Sequence, residues 1–236
     1  MKTFLILAII LFIAANLFPQ SSIIIHKNDG SGTTVIKTNI IDSIKFCPAS
    51  VTYSGKTYNT IVIGSQCWLK ENLDVGTRID GAVDQTNNSI LEKYCYGDIS
   101  ANCTTYGGLY QWNEAMQYVT TAGIKGICPT GWHIPRNAEF TTLSTTVGGD
   151  GNSLKAVGQG SGAGAGTNTS GFSALLAGFR DNNQSFTSLT LETYFWSSSE
   201  RNPTVAYYTC LVSNDINLYP YFSSKEDGFS VRCTKD

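Results

Sequence analysis

Cys128-Pro129-Thr130-Gly131-Trp132-His133-Ile134-Pro135 sets a cysteine, two prolines, a glycine and a tryptophan within one short stretch. Proline fixes φ, glycine reaches turns closed to other residues, and a buried Trp anchors what surrounds it. The segment is built to hold one shape. It leads directly into a helical pattern over Asn137–Val147, where Phe140, Leu143 and Val147 share a face, Asn137 is the expected cap and Gly148-Gly149 ends the run. Trp132 is expected in the core, and Cys128 as half of a long-range disulfide.

The chain has 236 residues, a charged fraction of only 14%, 11% aromatics and a net charge of −2, with no long run of either sign. Electrostatic capture of nucleic acid or of an anionic membrane is therefore excluded from the expected functions. Gly, Ser, Thr and Asn abound, which favours short strands and loops over helical bundles. Met1-Lys2-Thr3 followed by the apolar run Phe4–Leu17 has the pattern of a secretory signal over residues 1–20, with cleavage between Ala15 and Ser21. The run is shorter than the roughly 20 residues a membrane span needs, and no second apolar segment is present, so the mature chain is expected to carry no transmembrane segment. Export into an oxidising compartment accounts for seven cysteines, of which none forms a CxxC pair. The odd count leaves at least one thiol free or paired between chains.

Residues 21–48 read as a short β lead-in, with strands at Ile23–Lys27, Thr34–Lys37 and Ile44–Phe46 and a turn at Asn28-Asp29-Gly30. From 49 to 236 follows the main domain. Val51–Tyr53 and Lys56–Ile63 flank Ser54-Gly55 as a hairpin, and Gly64–Cys67 turns the chain into Trp68. Gly76–Asn102 is polar and reads as a surface excursion; Cys95 and Cys103 suit a local clip at its end. Leu109, Trp112, Ala115 and Met116 share a helical face, which predicts the first helix over Leu109–Tyr118. Gly158–Thr169 is nearly all small residues and reads as a flexible loop; no Gly-Lys-Ser/Thr follows to make it a phosphate cradle. Val205–Val212 reads as a buried strand.

Seven blocks now stand in order: Ile63–Leu73, Tyr106–Trp112, Cys128–Pro135, Gly171–Leu175, Gly178–Asp181, Trp196–Glu200 and Gly228–Cys233. In this order they resemble the Fibrobacter succinogenes major paralogous domain, over Val51–Asp236. The resemblance implies an exported bacterial domain of the Bacteroidetes/Fibrobacter type. It also implies an α+β fold similar to C-type lectins and the formylglycine-generating-enzyme group: two helices, small twisted antiparallel sheets and long loops, stabilised by disulfides. Two departures bear on the reading. Arg136 replaces the usual Ser or Thr, so the capping box with Glu139 is lost and Asn137 must cap instead. Cys210 replaces an aromatic or apolar residue, which marks it as the free, buried thiol. The remaining pairs implied are Cys47–Cys67, Cys95–Cys103 and Cys128–Cys233. Trp68, Trp112, Trp132 and Trp196 are the expected core anchors.

No catalytic residue is expected. His133 is wedged between Trp132 and Ile134, Cys210 lies in an apolar strand where a thiol loses reactivity, and no Gly-x-Ser-x-Gly elbow occurs in a strand-turn-helix context. No metal site or cofactor is expected either. Asp181-Asn182-Asn183 and Asn214-Asp215 offer oxygen ligands suited to calcium, but the Glu-Pro-Asn and Trp-Asn-Asp motifs of calcium-dependent lectins are missing. The loops are where binding is expected. Ligand-binding candidates are Arg180, Asp181, Asn182, Glu200, Tyr219 and Tyr221, with a buried Arg180–Glu200 pair as the structural alternative. The expected function is a secreted, periplasmic or cell-surface, non-enzymatic module that binds polysaccharide or a surface protein. A purely structural or adhesive envelope protein is the alternative, and an enzyme is the least supported reading.

Overall fold

The computed structural model describes residues 22–26, 33–37 and 47–236, and the chain divides into two units at Phe46/Cys47. In the first, β1 (Ser22–His26) and β2 (Thr33–Lys37) pair antiparallel, with Ile24 opposite Val35. The signal segment, the Asn28-Asp29-Gly30 turn and the strand expected at Ile44–Phe46 lie outside the described residues.

The second unit opens on a hairpin of β3 (Ser50–Tyr53) and β4 (Lys56–Ile63). Its two-residue turn has φ of 49° at Ser54 and 78° at Gly55, the positive pair that matches strand twist. Gly64-Ser65 then turns the chain into β5 (Gln66–Leu69), a tighter turn than one running to Cys67, because Gln66 already pairs with Ile63. The polar excursion is more ordered than its composition suggests. It holds β6 (Thr77–Arg78), parallel to β7 (Glu92–Lys93), and α1 (Ser100–Tyr106), a helix of weak formers whose one buried residue, Cys103, is bonded to Cys95.

The helix expected over Leu109–Tyr118 is absent. Leu109–Gln111 is a strand, β8, buried on both faces and paired with the segment Gly228–Ser230; only Trp112–Ala115 makes a single turn, α2. Both halves bury apolar side chains, so the helical spacing across them was fortuitous. After β9 (Trp132–His133) comes α3 (Asn137–Thr146). Its cap is Arg136 and not Asn137. Half of the capping box survives, because the Glu139 carboxylate accepts the Arg136 N–H at 2.7 Å; an arginine side chain has no acceptor for the other half. The glycine-rich run is packed, not loose. Ser161 N–H donates to the Ser213 carbonyl at 2.7 Å, and a Cβ on Gly160 would come within 2.3 Å of the Gly164 carbonyl oxygen. Small residues there permit close approach of backbones.

The remaining strands are β10 (Ala177–Arg180), β11 (Phe186–Leu189), β12 (Glu192–Asn202), β13 (Val205–Val212), β14 (Leu218–Ser224), β15 (Gly228–Ser230) and β16 (Thr234–Lys235). Seven strands form one sheet in the order β11-β10-β15-β12-β13-β14, with β8 also on β15; five form a second, β3-β4-β5-β16-β9. The chain is thus α+β, mostly sheet, with three short helices among the described residues and not two.

Two apolar clusters fill this unit. One gathers Trp112, Trp132, Trp196, Tyr110 and Phe229; the other gathers Trp68, Phe140, Leu143, Phe172, Phe195 and Leu211. All four tryptophans are buried. Burying each large apolar side chain contributes about 1.5–3 kcal/mol. Both the Trp112 and the Trp196 ring N–H reach a backbone carbonyl, of Ser197 and Tyr110 respectively, each at 2.8 Å. Disulfides join Cys47 to Cys67, Cys95 to Cys103 and Cys128 to Cys233, the same three pairs as the resemblance implied, and Cys210 is free and buried. The segment Gly228–Lys235 runs from the seven-stranded sheet through β15 into the five-stranded sheet at β16, and Cys233 is bonded to Cys128 on the way.

Candidate functional site

Arg180, at the end of β10, is fully buried and so is not part of the exposed loop surface expected to bind. Nor does it pair with Glu200. Its Nε donates to the Gly81 carbonyl and its Nη2 to Asp84 Oδ1, both at 2.7 Å, and its guanidinium lies 4.4 Å from the Tyr94 ring centroid. Arg180 therefore pins the polar excursion to the large sheet. Glu200 is taken by another cation: it accepts from Lys225 Nζ at 2.6 Å, and that ammonium sits 4.1 Å over Trp112. Asp181 closes its own turn by accepting the N–H groups of Asn183 and Ser185, with Asn182 exposed at the tip. These are turn duties. Among the described residues no group of three or more His, Cys, Asp or Glu is placed to hold a metal ion.

The two tyrosines are placed differently. Tyr219 and Tyr221 lie on β14, the edge of the seven-stranded sheet, and are 41% and 58% exposed. The Tyr219 hydroxyl donates to Asp215 Oδ2 at 2.7 Å, which holds the ring upright. Tyr221 stacks on Phe222 with centroids 4.6 Å apart and planes 10° apart, and the Arg201 guanidinium lies 3.6 Å from the Phe222 centroid. Tyr221 is thus the outer layer of an ordered stack.

From Tyr221 an aromatic row runs inward. Register places Tyr208 on β13 opposite Tyr221, and Cys210 between Tyr194 and Tyr219. Centroid spacings are 6.3 Å from Tyr221 to Tyr208, 5.3 Å to Tyr194 and 4.6 Å to Phe179, with Phe229 packed beneath the inner three. The inner rings are tilted edge to face and half-buried, the geometry of aromatic packing. They brace the exposed end. Phe179, Tyr194 and Tyr208 were not among the candidates, because they come from three strands whose register the sequence does not state. Their one signal was alternation: Tyr194 and Tyr208 each sit two residues from another residue on the same face.

The segments that build this row and its support match a family model, Fibrobacter succinogenes major domain, over residues 61–235. The chain belongs to this family. No curated protein and no solved structure matches it. The family segment contains β10 to β15 in full, and with them every aromatic of the row.

Within the family segment, the two residues with chemical potential are both engaged. His133 has one ring nitrogen 2.6 Å from Asp236 Oδ1 and the other 2.9 Å from Glu139 Oε2, so neither is free to take a substrate proton. Burial opposes charging this ring, but the bonds to Glu139 and Asp236 outweigh it and raise the pKa above 6.5. Burial likewise works against ionising Glu139, and the His133 bond prevails to lower its pKa. Burial, with Glu192 nearby, pushes the Cys210 thiol up to about 12, against a hydrogen bond from Tyr194. A thiol held neutral is a poor nucleophile. No helix among the described residues is long and apolar enough to cross a membrane.

Proposed function

We propose that this domain is a lectin-like, non-enzymatic binding module, exported to the periplasm or cell surface, that takes a glycan on its exposed aromatic edge. One observation carries the reading: Tyr221 is exposed yet ordered by its stack on Phe222 and Arg201. A fixed aromatic face next to hydrogen-bonding groups suits the apolar face and hydroxyls of a sugar ring, and Tyr219 with Asp215 supplies such groups alongside. Pro220 stands between the two tyrosines and removes an N–H from the edge, which disfavours a partner that adds a β-strand there. The engaged nitrogens of His133 and the neutral Cys210 thiol weigh against catalysis. A glycan array probed with wild type and Tyr221→Ala, with and without chelator, tests the reading. Wild type is expected to give specific hits on neutral glycans that persist in chelator and disappear in Tyr221→Ala. Silence across the array would favour the structural or adhesive envelope protein, and hits unchanged by the substitution would place the site elsewhere.

A further inference from the structure

A second feature lies away from the aromatic edge and owes nothing to it. A cleft of about 340 Å³ is lined by Lys70, Asn72, Thr104, Thr105, Tyr106 and Arg232, among others. Arg232 is fully buried. Nε and Nη2 both donate to Asn72 Oδ1, at 3.1 and 2.7 Å, and Nη1 donates to the Phe172 carbonyl. A guanidinium carries five N–H hydrogens, so three bonds leave two without a protein acceptor. The aromatic faces of Phe172 and Phe195 lie 4.3 and 5.2 Å away. They soften the burial of the cation but do not neutralise it.

No carboxylate among the described residues forms an ion pair with Arg232 or with Lys70. Burial lowers the Arg232 pKa to about 9, and only Glu71 opposes this. Glu71 lines the same cleft, but both its oxygens are occupied by Asn59, one with the backbone N–H and one with the side-chain amide, each at 2.8 Å. Lys56, also in the lining, has Asp74 as a partner at 3.7 Å. Asn59 is neutral, so Glu71 keeps its charge; even so, the lining sets Lys56, Lys70 and Arg232 against this one carboxylate, in a chain of net charge −2. An unpaired buried charge is costly unless something completes it.

The cleft is also built with care at its floor. Gly107 adopts φ 86° and ψ 175°, a region open to glycine almost alone, and a Cβ there would lie 2.6 Å from Asn72 Cβ. Asn72 is held from the other side as well: its amide donates to the Tyr106 carbonyl at 2.9 Å and to Ser230 Oγ at 3.2 Å. The hydroxyls of Thr104, Thr105 and Ser173 complete the lining. A lining that combines an excess of cations with neutral hydroxyl-bearing residues and an aromatic ring, in a volume that admits a monosaccharide, selects a polyhydroxylated carboxylate.

We propose that this cleft is an anion site that holds the carboxylate of an acidic sugar, with Lys70 and Arg232 as its charge partners. Arginine presents a planar fork that matches a carboxylate, and Lys70 adds a point charge from the same lining. The experiment is calorimetric titration of the full chain with trigalacturonate, and with neutral galactotriose as its uncharged counterpart, at low and at physiological salt. Lys70→Glu is the variant of choice, because the Lys70 side chain makes no hydrogen bond or ion pair and its loss leaves the fold intact; Arg232 variants risk unfolding. The expected result is binding of trigalacturonate, weakening with salt, none of galactotriose, and at least a tenfold loss in Lys70→Glu with an unchanged melting temperature. Tyr221→Ala is expected to bind trigalacturonate as wild type does, which separates this site from the aromatic edge. No binding to wild type, equal binding of the neutral trisaccharide, or undiminished binding to Lys70→Glu overturns the proposal.

Discussion

Replacing both cysteines of each disulfide by alanine, one pair at a time, tests how the scaffold is held. A crosslink restricts the unfolded chain more the longer the loop it closes. The sequence separations are 105 for Cys128–Cys233, 20 for Cys47–Cys67 and 8 for Cys95–Cys103. Loop entropy then assigns about 4.8, 3.3 and 2.5 kcal/mol to them at 25 °C. Cys128, Cys233, Cys95 and Cys103 are all buried, so the small cavity left by alanine adds a similar cost to the longest and the shortest loop and does not alter their order. The first pair has a local consequence as well. Strand β16 is held by single-residue pairings, Thr234 to Trp68 and to His133, and Lys235 to Trp132, so freeing Cys233 also loosens the strand between β5 and β9. Urea unfolding followed by tryptophan fluorescence suits the measurement, because Trp68 and Trp132 sit on the strands that flank β16. At roughly 2–4 °C per kcal/mol for a domain of this size, the melting temperature of the Cys128/Cys233 variant should fall by about 10–19 °C. If that variant proved no less stable than the Cys95/Cys103 variant, loop closure would not be what these bonds contribute, and the reasoning would be wrong.

Two further outcomes follow from buried charge. Arg180→Ala is expected to lower stability by about 3 kcal/mol, since it strands the carbonyl of Gly81 and takes from Asp84 its cation; chemical denaturation measures this, and glycan binding by the folded fraction should be unaffected. The His133 cluster makes stability depend on pH in two directions. With its folded pKa raised above 6.5, His133 contributes fully below that pH and loses its contribution as pH rises through the folded value. Glu139, lowered from 4.5, contributes above that pH and loses its contribution as pH falls through its folded value. The cluster is therefore strongest between about pH 4.5 and 6.5. The difference in melting temperature between wild type and His133→Gln should be larger at pH 5.5 than at pH 8.5, and a difference independent of pH would show that the imidazolium is not what binds the two carboxylates.

What the sequence discloses depends on how local the cause is. Ser54-Gly55 names its turn within two residues, and β13 is an unbroken apolar run, so both were legible. Leu109–Ala115 was not: the strand Leu109–Gln111 exists because β15 lies beside it, and a partner 117 residues downstream, Gly228 opposite Gln111, leaves no mark in the local pattern. The helix Ser100–Tyr106 has weak intrinsic propensity and is held by its disulfide to Cys95. Glycines 160 and 164 look the same in sequence whether they loosen a loop or let two backbones touch; only the contact with Ser213 decides. Composition could not choose between Glu200 and Asp84 as the partner of Arg180, because either carboxylate satisfies a guanidinium. Of the site candidates, Tyr219 and Tyr221 lie on the exposed edge, while the rings that brace them needed the register of four strands.

The crossing of Gly228–Lys235 from one sheet to the other has a consequence for biogenesis. Every other strand of both sheets precedes it, so neither sheet can be completed while the ribosome is still adding residues to the core. The chain must remain unsealed until Lys235 is in place, with Trp68, Trp112 and Trp132 uncovered and Cys128 without its partner Cys233.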